Sequence, residues 1–280
     1  MSRDVWLQLA FVGLHPDRCA DLLASCGSAG RALGAVARGA AGPEARSRVR
    51  SAVACRAELD RLDIEFDLVT DPAFPRHLGE VERGPRWLFR LGPPLGVGVA
   101  IVGTRRCTAY GRRLASAFGA ACAEHGWPVV SGLARGIDGA AHEGTLAAGG
   151  TAVGVLGAGL DVRYPRQHER LYQRVLDAGG TIVSEYPPGS IPHGWRFPPR
   201  NRIISGLSAA VVVVESAVTG GSLGTAAHAV AQDRPVFAVP GDVDREASVG
   251  CNLLIRDGAV PVLGADDLVE GLSLLSALGH

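Results

Sequence analysis

Lysine is absent from this chain. All 28 basic residues among its 280 are arginine, which excludes a Schiff-base lysine and the lysine of a phosphate-binding P-loop. A GC-rich coding bias is the plain reading of the absence. No C-x-x-C pair occurs among Cys19, Cys26, Cys55, Cys107, Cys122 and Cys251, and no Cys/His cluster has zinc spacing. Reduced thiols in a cytosol are the natural reading, and neither a metal nor a cofactor is expected. No apolar run approaches the ~18 residues that would span a bilayer. The apolar stretch from Val5 to Leu14 lies between Asp4 and His15 and has no small-residue cleavage site after it, so a secretory signal is not expected. The 38 glycines show no G-X-Y period, which excludes collagen. With 47% hydrophobic residues, 20% charged residues and a mean hydropathy of +0.16, the chain is not a disordered one.

What is present is long enough for two domains, or for a large α/β domain with a small partner. Net charge is zero, unevenly spread. Residues 1–99 carry 13 Arg and 12 acids, residues 100–214 carry 12 and 7, and residues 215–280 carry 3 and 9. No acid occurs between Tyr186 and Val214, where Arg196, Arg200 and Arg202 sit close together. Such an excess suits an anionic ligand, or else a solvated arginine face.

Residues 1–63 read as a helical N-terminal domain, with helices at Val5–Phe11, Pro16–Cys26, Ala29–Ala37 and Ala45–Leu62 broken by Gly13, Gly27 and the stretch 39–43. It is either a helix-hairpin-helix-like (SAM-like) nucleic-acid module or a packing cap. Residues 64–98 read as a proline- and aromatic-rich connector to the second domain, 64–280. From Val97 onward, seven short Val/Ile/Ala runs alternate with helical patterns. This predicts a Rossmann-like, doubly wound, mostly parallel sheet covered on both faces, with its ligand at the carboxyl ends of the strands.

Those ends carry the informative loops. In "VAIVGTRRCTAYGRRLA", Gly103 turns the chain, Arg105 and Arg106 follow, and Tyr110–Gly111 open a helix whose free N–H groups suit a phosphate. The spacing is not G-x-G-x-x-G, so a dinucleotide is disfavoured; Gly103 and Gly111 would also serve tight packing. In "VVSGLARGIDGAAHEGT", Ser131, Gly132 and Arg135 offer a hydroxyl, a backbone N–H and a guanidinium to a second phosphate. Asp138 and His142, one turn apart, read as a local pair rather than as acid/base equipment. "SEYPPGSIPHGWRFPPRNRIISGLS" interleaves Trp195 and Phe197 with Arg196, Arg200 and Arg202, which suits bases stacking while phosphates are neutralised; for Trp195 an anchor to the core is the plainer reading. Gly220, Gly221 and Ser222 open a further helix and again offer backbone donors.

Taken together, "VGTRRCTAYG", "SGLARGIDGAAH", "GLDVRYP", "SEYPPG", "RFPPRNRIISGLS", "VVVVE", "AVPG" and "GCNLLIRDGA" resemble, in order, the motifs of the DNA-processing protein A (DprA/Smf) family, over residues 64–272. The resemblance implies a cytoplasmic bacterial protein that binds single-stranded DNA in natural transformation. Such a protein protects incoming strands, helps load a RecA-type recombinase onto DNA coated by single-strand-binding protein, acts as a homodimer and is not an enzyme. Carried over residue by residue, it implies a DNA pocket of Gly103, Arg105, Tyr110, Gly111, Ser131, Gly132, Arg135, Phe197, Arg200 and Arg202. Members often end in a winged-helix module, and none is expected here. The alternative is an enzyme: "GGSLGTAAHA" is similar to the P-G-G-x-G-T-x-x-E loop of nucleoside-monophosphate phosphoribohydrolases of the lysine decarboxylase-like superfamily. Thr219 stands where that loop has proline, an extra residue separates Gly221 from Gly224, and Ala or His replaces the catalytic glutamate.

Overall fold

The computed structural model describes residues 2–277; residues 278–280, the end of the predicted second domain, lie outside them. Five helices come first: α1 (Arg3–Val12), α2 (Pro16–Cys26), α3 (Ala29–Ala37), α4 (Pro43–Ser47) and α5 (Ala52–Leu62). Sequence periodicity joined the last two into one helix. The break falls at 48–51, where Arg48 closes α4 and the Ser51 hydroxyl caps α5 by accepting from Ala54 N–H at 3.2 Å.

The connector contains more structure than its prolines suggest. Strands β1 (Glu65–Leu68) and β2 (Trp87–Leu91) flank the short helix α6 (Arg76–Gly79). They pair antiparallel with Phe66 opposite Phe89, and β2 joins the main sheet antiparallel to β6. These strands do not show in the hydropathy pattern because each buries a charge. Asp67 and Arg90 neutralise one another, Nε to Oδ2, at 2.6 Å.

The remaining strands are β3 (Gly98–Val102), β4 (Val129–Ser131), β5 (Ala152–Leu156), β6 (Thr181–Ser184), β7 (Ser208–Val213), β8 (Val236–Ala238) and β9 (Val260–Pro261). Between them run α7 (Ala109–Glu124), α8 (Ile137–Ala147), α9 (Glu169–Asp177), α10 (Phe197–Gly206), α11 (Gly221–Ala231) and α12 (Glu246–Arg256), with α13 (Ala265–Ala277) last. The sheet order is β1-β2-β6-β5-β4-β3-β7-β8-β9, and every pairing from β6 to β9 is parallel. This is the predicted doubly wound α/β fold. Alternate residues of β3 feed two faces: Ala100 and Val102 pack with Ile203 of α10, Ala226 of α11 and Cys251 of α12, while Val99 and Ile101 pack with α7, α8 and α13. The N-terminal helices share a core with the other end of the sheet, through Leu7, Phe11, Phe66, Phe89 and Ile182.

Strand order reverses beside β3. The chain steps outward through β4, β5 and β6, then returns to the far side of β3 as β7. A crevice opens at such a switch, between the loops that follow the two central strands.

One core group carries a pH prediction. His142 of α8 is fully buried and is not hydrogen-bonded to Asp138. Burial pulls its imidazole down to about 4; the main chain of Val153 opposes this, the nearby His168 adds to it, and the main chain of Val129 opposes it. The folded protein therefore holds this ring neutral while the unfolded chain protonates it near pH 6.5. Stability is full above that pH and falls by about 3 kcal/mol as pH drops to about 4. Urea unfolding at pH 7 and pH 4.5 should show His142→Leu losing less stability on acidification than the wild type. An equal loss in both proteins would overturn the assignment.

Candidate nucleic-acid interface

The loop after β3 is held from both sides. Gly103 leaves no room for a Cβ, which would lie 2.8 Å from Glu215 O. Thr104 N–H donates to that same carbonyl at 2.8 Å. The start of α7 is not an open anion seat. Thr108 caps it by accepting from Gly111 N–H at 3.1 Å. The buried Glu215 carboxylate, just past β7, accepts from the Thr108 N–H at 2.9 Å and from its hydroxyl at 2.5 Å. The protein thus supplies its own anion there. Gly111 is present because a Cβ would overlap that carboxylate. Tyr110 is exposed, its ring 5.5 Å from the Arg113 Cζ. Tyr110 and Gly111 are not brought into the crevice.

The second loop supplies a buried scaffold and one exposed arginine. Ser131 is fully buried and donates to Ile101 O at 2.6 Å, joining β4 to β3. Gly132 N–H donates to Asp138 Oδ2 at 3.0 Å, and Gly132 O accepts from Arg200 Nη1 at 3.2 Å. Arg200 also donates to Val155 O. A Cβ on Gly132 would lie 2.8 Å from both Arg200 Nη atoms and from Asp138 Oδ2. Gly132→Ala should therefore displace the guanidinium and cost about 1–3 kcal/mol; a melting temperature equal to wild type would overturn this. Burial pushes the Asp138 carboxyl up, while Arg200 and the N–H groups of Gly132 and Ala134 pull it down. Burial pulls the Arg200 guanidinium down to about 10, with Asp138 opposing, so it stays charged at neutral pH.

The fourth loop is a helix earlier than its sequence suggests. α10 begins at Phe197, not Asn201, because Pro198 and Pro199 fill a first turn that needs no N–H donors. This start decides which side chains meet. Phe197 lies with Arg105 Cζ 4.9 Å and Arg200 Cζ 5.9 Å from its ring centroid, and with the Tyr164 ring at 5.8 Å and 31°. Arg105, Gly132, Arg135, Tyr164, Phe197 and Arg200 line one hollow. It continues into a crevice of about 670 Å³ that adds Gly103, Arg106, Asn201 and the start of α11. Arg105, Arg106 and Arg135 are exposed and have no carboxylate partner among the described residues. The Gly220–Gly221–Ser222 turn is brought to the same crevice.

Arg202 is not. Residues two apart on a helix point about 200° from each other, so α10 turns Arg202 away from Arg200. It forms a buried pair with Glu185, Nη2 standing 2.9 Å from each carboxylate oxygen. Sequence reasoning missed Tyr164, Gly157 and Asn201. The first two lie in the loop after β5, whose glycines and Tyr164–Pro165 read as turn and helix-start signals rather than as a ligand contact. Gly157 matters because a Cβ there would meet the Phe197 ring at 2.9 Å.

An aromatic ring with exposed arginines around it, at the switch point of an α/β sheet, is a surface for a polyanion with planar parts. The family described as DNA recombination-mediator protein A matches residues 65–273. Protein Smf of Escherichia coli is 45% identical over 174 residues, 62% of this chain and 46% of that protein. DNA processing protein DprA of Streptococcus pneumoniae is 38% identical over 208 residues, 72% of each. The chain spans about half the length of several of the curated relatives it matches. Among solved structures, DNA processing protein A of Streptococcus pneumoniae superimposes with a TM-score of 0.78 at 31% identity, covering 96% of this chain and 98% of that one. DNA processing protein A of Helicobacter pylori, solved for its single-stranded DNA binding mode, gives 0.65 at 25% identity, over 74% of this chain and 95% of that one. A family match running from β1 into α13, together with a shared fold over nearly the whole chain, places this chain in the DNA recombination-mediator protein A family.

Proposed function

We propose that the protein binds single-stranded DNA in the switch-point crevice, protects incoming strands during natural transformation and helps load a RecA-type recombinase onto DNA coated by single-strand-binding protein. It acts in the cytoplasm as a homodimer and by binding rather than by turnover. The observation that carries the reading is Phe197 beside Arg105 and Arg200, with Arg106 and Arg135 exposed at the rim and without a carboxylate partner among the described residues. Phosphates meet guanidinium groups while a base lies on the ring, a mode without a sequence code. Of the ten residues proposed from sequence, Gly103, Arg105, Gly132, Arg135, Phe197 and Arg200 form this crevice. The reading keeps residues 1–63 as a helical domain and 64–280 as the DNA-processing domain.

A gel shift with single- and double-stranded oligonucleotides of equal length, at two salt concentrations, tests it. Single strands should bind more tightly, and more weakly at the higher salt. Equal affinity for the duplex would overturn the proposal. Release of free base from AMP or CMP would replace it with the phosphoribohydrolase reading. Light scattering at micromolar concentration should give the mass of a dimer, and a monomer mass would overturn that part.

A further inference from the structure

Helices that begin beside the switch-point crevice differ in whether their first turn is already satisfied. The start of α7 is filled by Glu215. The start of α8 has Asp138 in its first turn, and its Ile137 N–H donates to Thr104 O at 3.3 Å. The start of α10 holds Pro198 and Pro199, which have no N–H to offer. The start of α11 is open. Its N-cap, Gly220, supplies no side-chain hydrogen bond, and its first turn holds no acid. The N–H groups of Gly221 and Ser222 find no acceptor among the described residues. The Ser222 hydroxyl does not cap them, because it donates to Ser216 Oγ at 2.9 Å. We propose that this turn is a seat for a phosphate group of a nucleotide.

Thr225 points to a ligand independently. It lies one turn after Gly221, on the same face of α11, and lines the crevice. It is only 2% exposed, and its hydroxyl has no hydrogen-bond partner among the described residues. A threonine within a helix can bond back to the carbonyl four residues earlier. Here that carbonyl, Gly221 O, accepts from Asn201 Nδ2 at 3.1 Å instead. Asn201 Oδ1 in turn accepts from Arg200 Nε at 3.4 Å, so the network under the crevice holds the turn in place. Gly221 keeps the approach open. A Cβ there would meet nothing within 4 Å, and its backbone is not left-handed, so neither packing nor conformation calls for glycine. Gly220 differs, since a Cβ on it would lie 2.2 Å from Ser216 Oγ. Unused backbone donors at the positive end of a helix, beside an unused hydroxyl, suit an anion with several acceptor oxygens. Arg105 and Arg106 line the same crevice and favour its charge.

The phosphate has two sources, a free nucleotide or the backbone of a bound strand; only the second rests on the DNA-binding reading. Binding of dTMP and of oligo(dT) to the full chain, each measured separately, tests the seat. Thr225→Val keeps the shape of the side chain and removes a hydroxyl that bonds to nothing within the described residues. It should leave the melting temperature no lower than wild type and weaken binding about fivefold, the factor of one hydrogen bond. The salt slope should not change, because no charge is lost. Gly221→Asp has open space for its side chain and puts a carboxylate of the chain's own at the helix start. It should weaken binding at least about tenfold and, through the helix dipole, not lower the melting temperature. A response of dTMP alone identifies a free nucleotide, and a response of oligo(dT) identifies a strand phosphate. Wild-type binding of both probes by Thr225→Val would overturn the proposal even where Gly221→Asp binds weakly, since an added carboxylate also repels phosphates elsewhere in the crevice. Wild-type binding of both probes by a folded Gly221→Asp would overturn it as well. A wild-type chain that does not bind oligo(dT) would end the DNA-binding reading and leave the dTMP result to decide the seat; binding of neither probe would end both.

Discussion

Arg200→Ala is expected to destabilise the fold by about 3–5 kcal/mol, the cost of removing one partner from buried opposite charges. The guanidinium donates to Gly132 O and Val155 O, tying β4 to β5 beneath the crevice, and faces Asp138 across Gly132. Without it both carbonyls lose their donor and a buried carboxylate keeps no cation. Urea unfolding should show a lower midpoint with an unchanged slope. Adding Asp138→Ala should recover part of the loss, because the two residues share one network. A midpoint equal to wild type would show that Arg200 bears no structural load. The corollary concerns DNA binding. Reduced affinity in an Arg200 or Arg202 variant would not by itself report a phosphate contact, since each side chain is held in a buried network of its own. Arg105 and Arg135, exposed and without a carboxylate partner among the described residues, are the informative positions.

At those positions charge and stacking should separate. Arg105→Ala should reduce the log–log salt slope for single strands by ~0.7, as one phosphate contact and its released counterion are lost. The affinity loss should be nearly uniform across oligonucleotide sequences. Phe197→Ala should cost ~1–3 kcal/mol of binding and leave the slope almost unchanged, because it removes a stacking surface and no charge. Since Arg105 lies 4.9 Å from the Phe197 ring, the double variant should lose less than the sum of the two. Fluorescence anisotropy across a salt series reads all three. Equal slope changes for Arg105→Ala and Phe197→Ala would refute the division of labour.

Much of this was legible in the residues themselves. Continuous Val/Ile/Ala runs from β3 to β8 can be satisfied only by a sheet covered on both faces, so the α/β class follows from hydropathy. Gly103, Arg105, Gly132, Arg135 and Phe197 stand in loops after strands or at a helix start, and a doubly wound fold brings such loops together at its switch point. Other features depended on tertiary partners. β1 and β2 were hidden because Asp67 and Arg90 look polar until they are paired. The start of α7 looked like an anion seat until Glu215, more than a hundred residues later, filled it. Ser131 looked like a ligand hydroxyl until the Ile101 carbonyl claimed it. Arg200 and Arg202 looked like one cluster along the chain, and only the helix beginning at Phe197 turned them to opposite sides, one beside the DNA crevice and the other against Glu185. Local chemistry set which groups were available, and long-range contacts decided which of them remained free, because a buried polar group must find its partner inside the protein before it can serve a ligand.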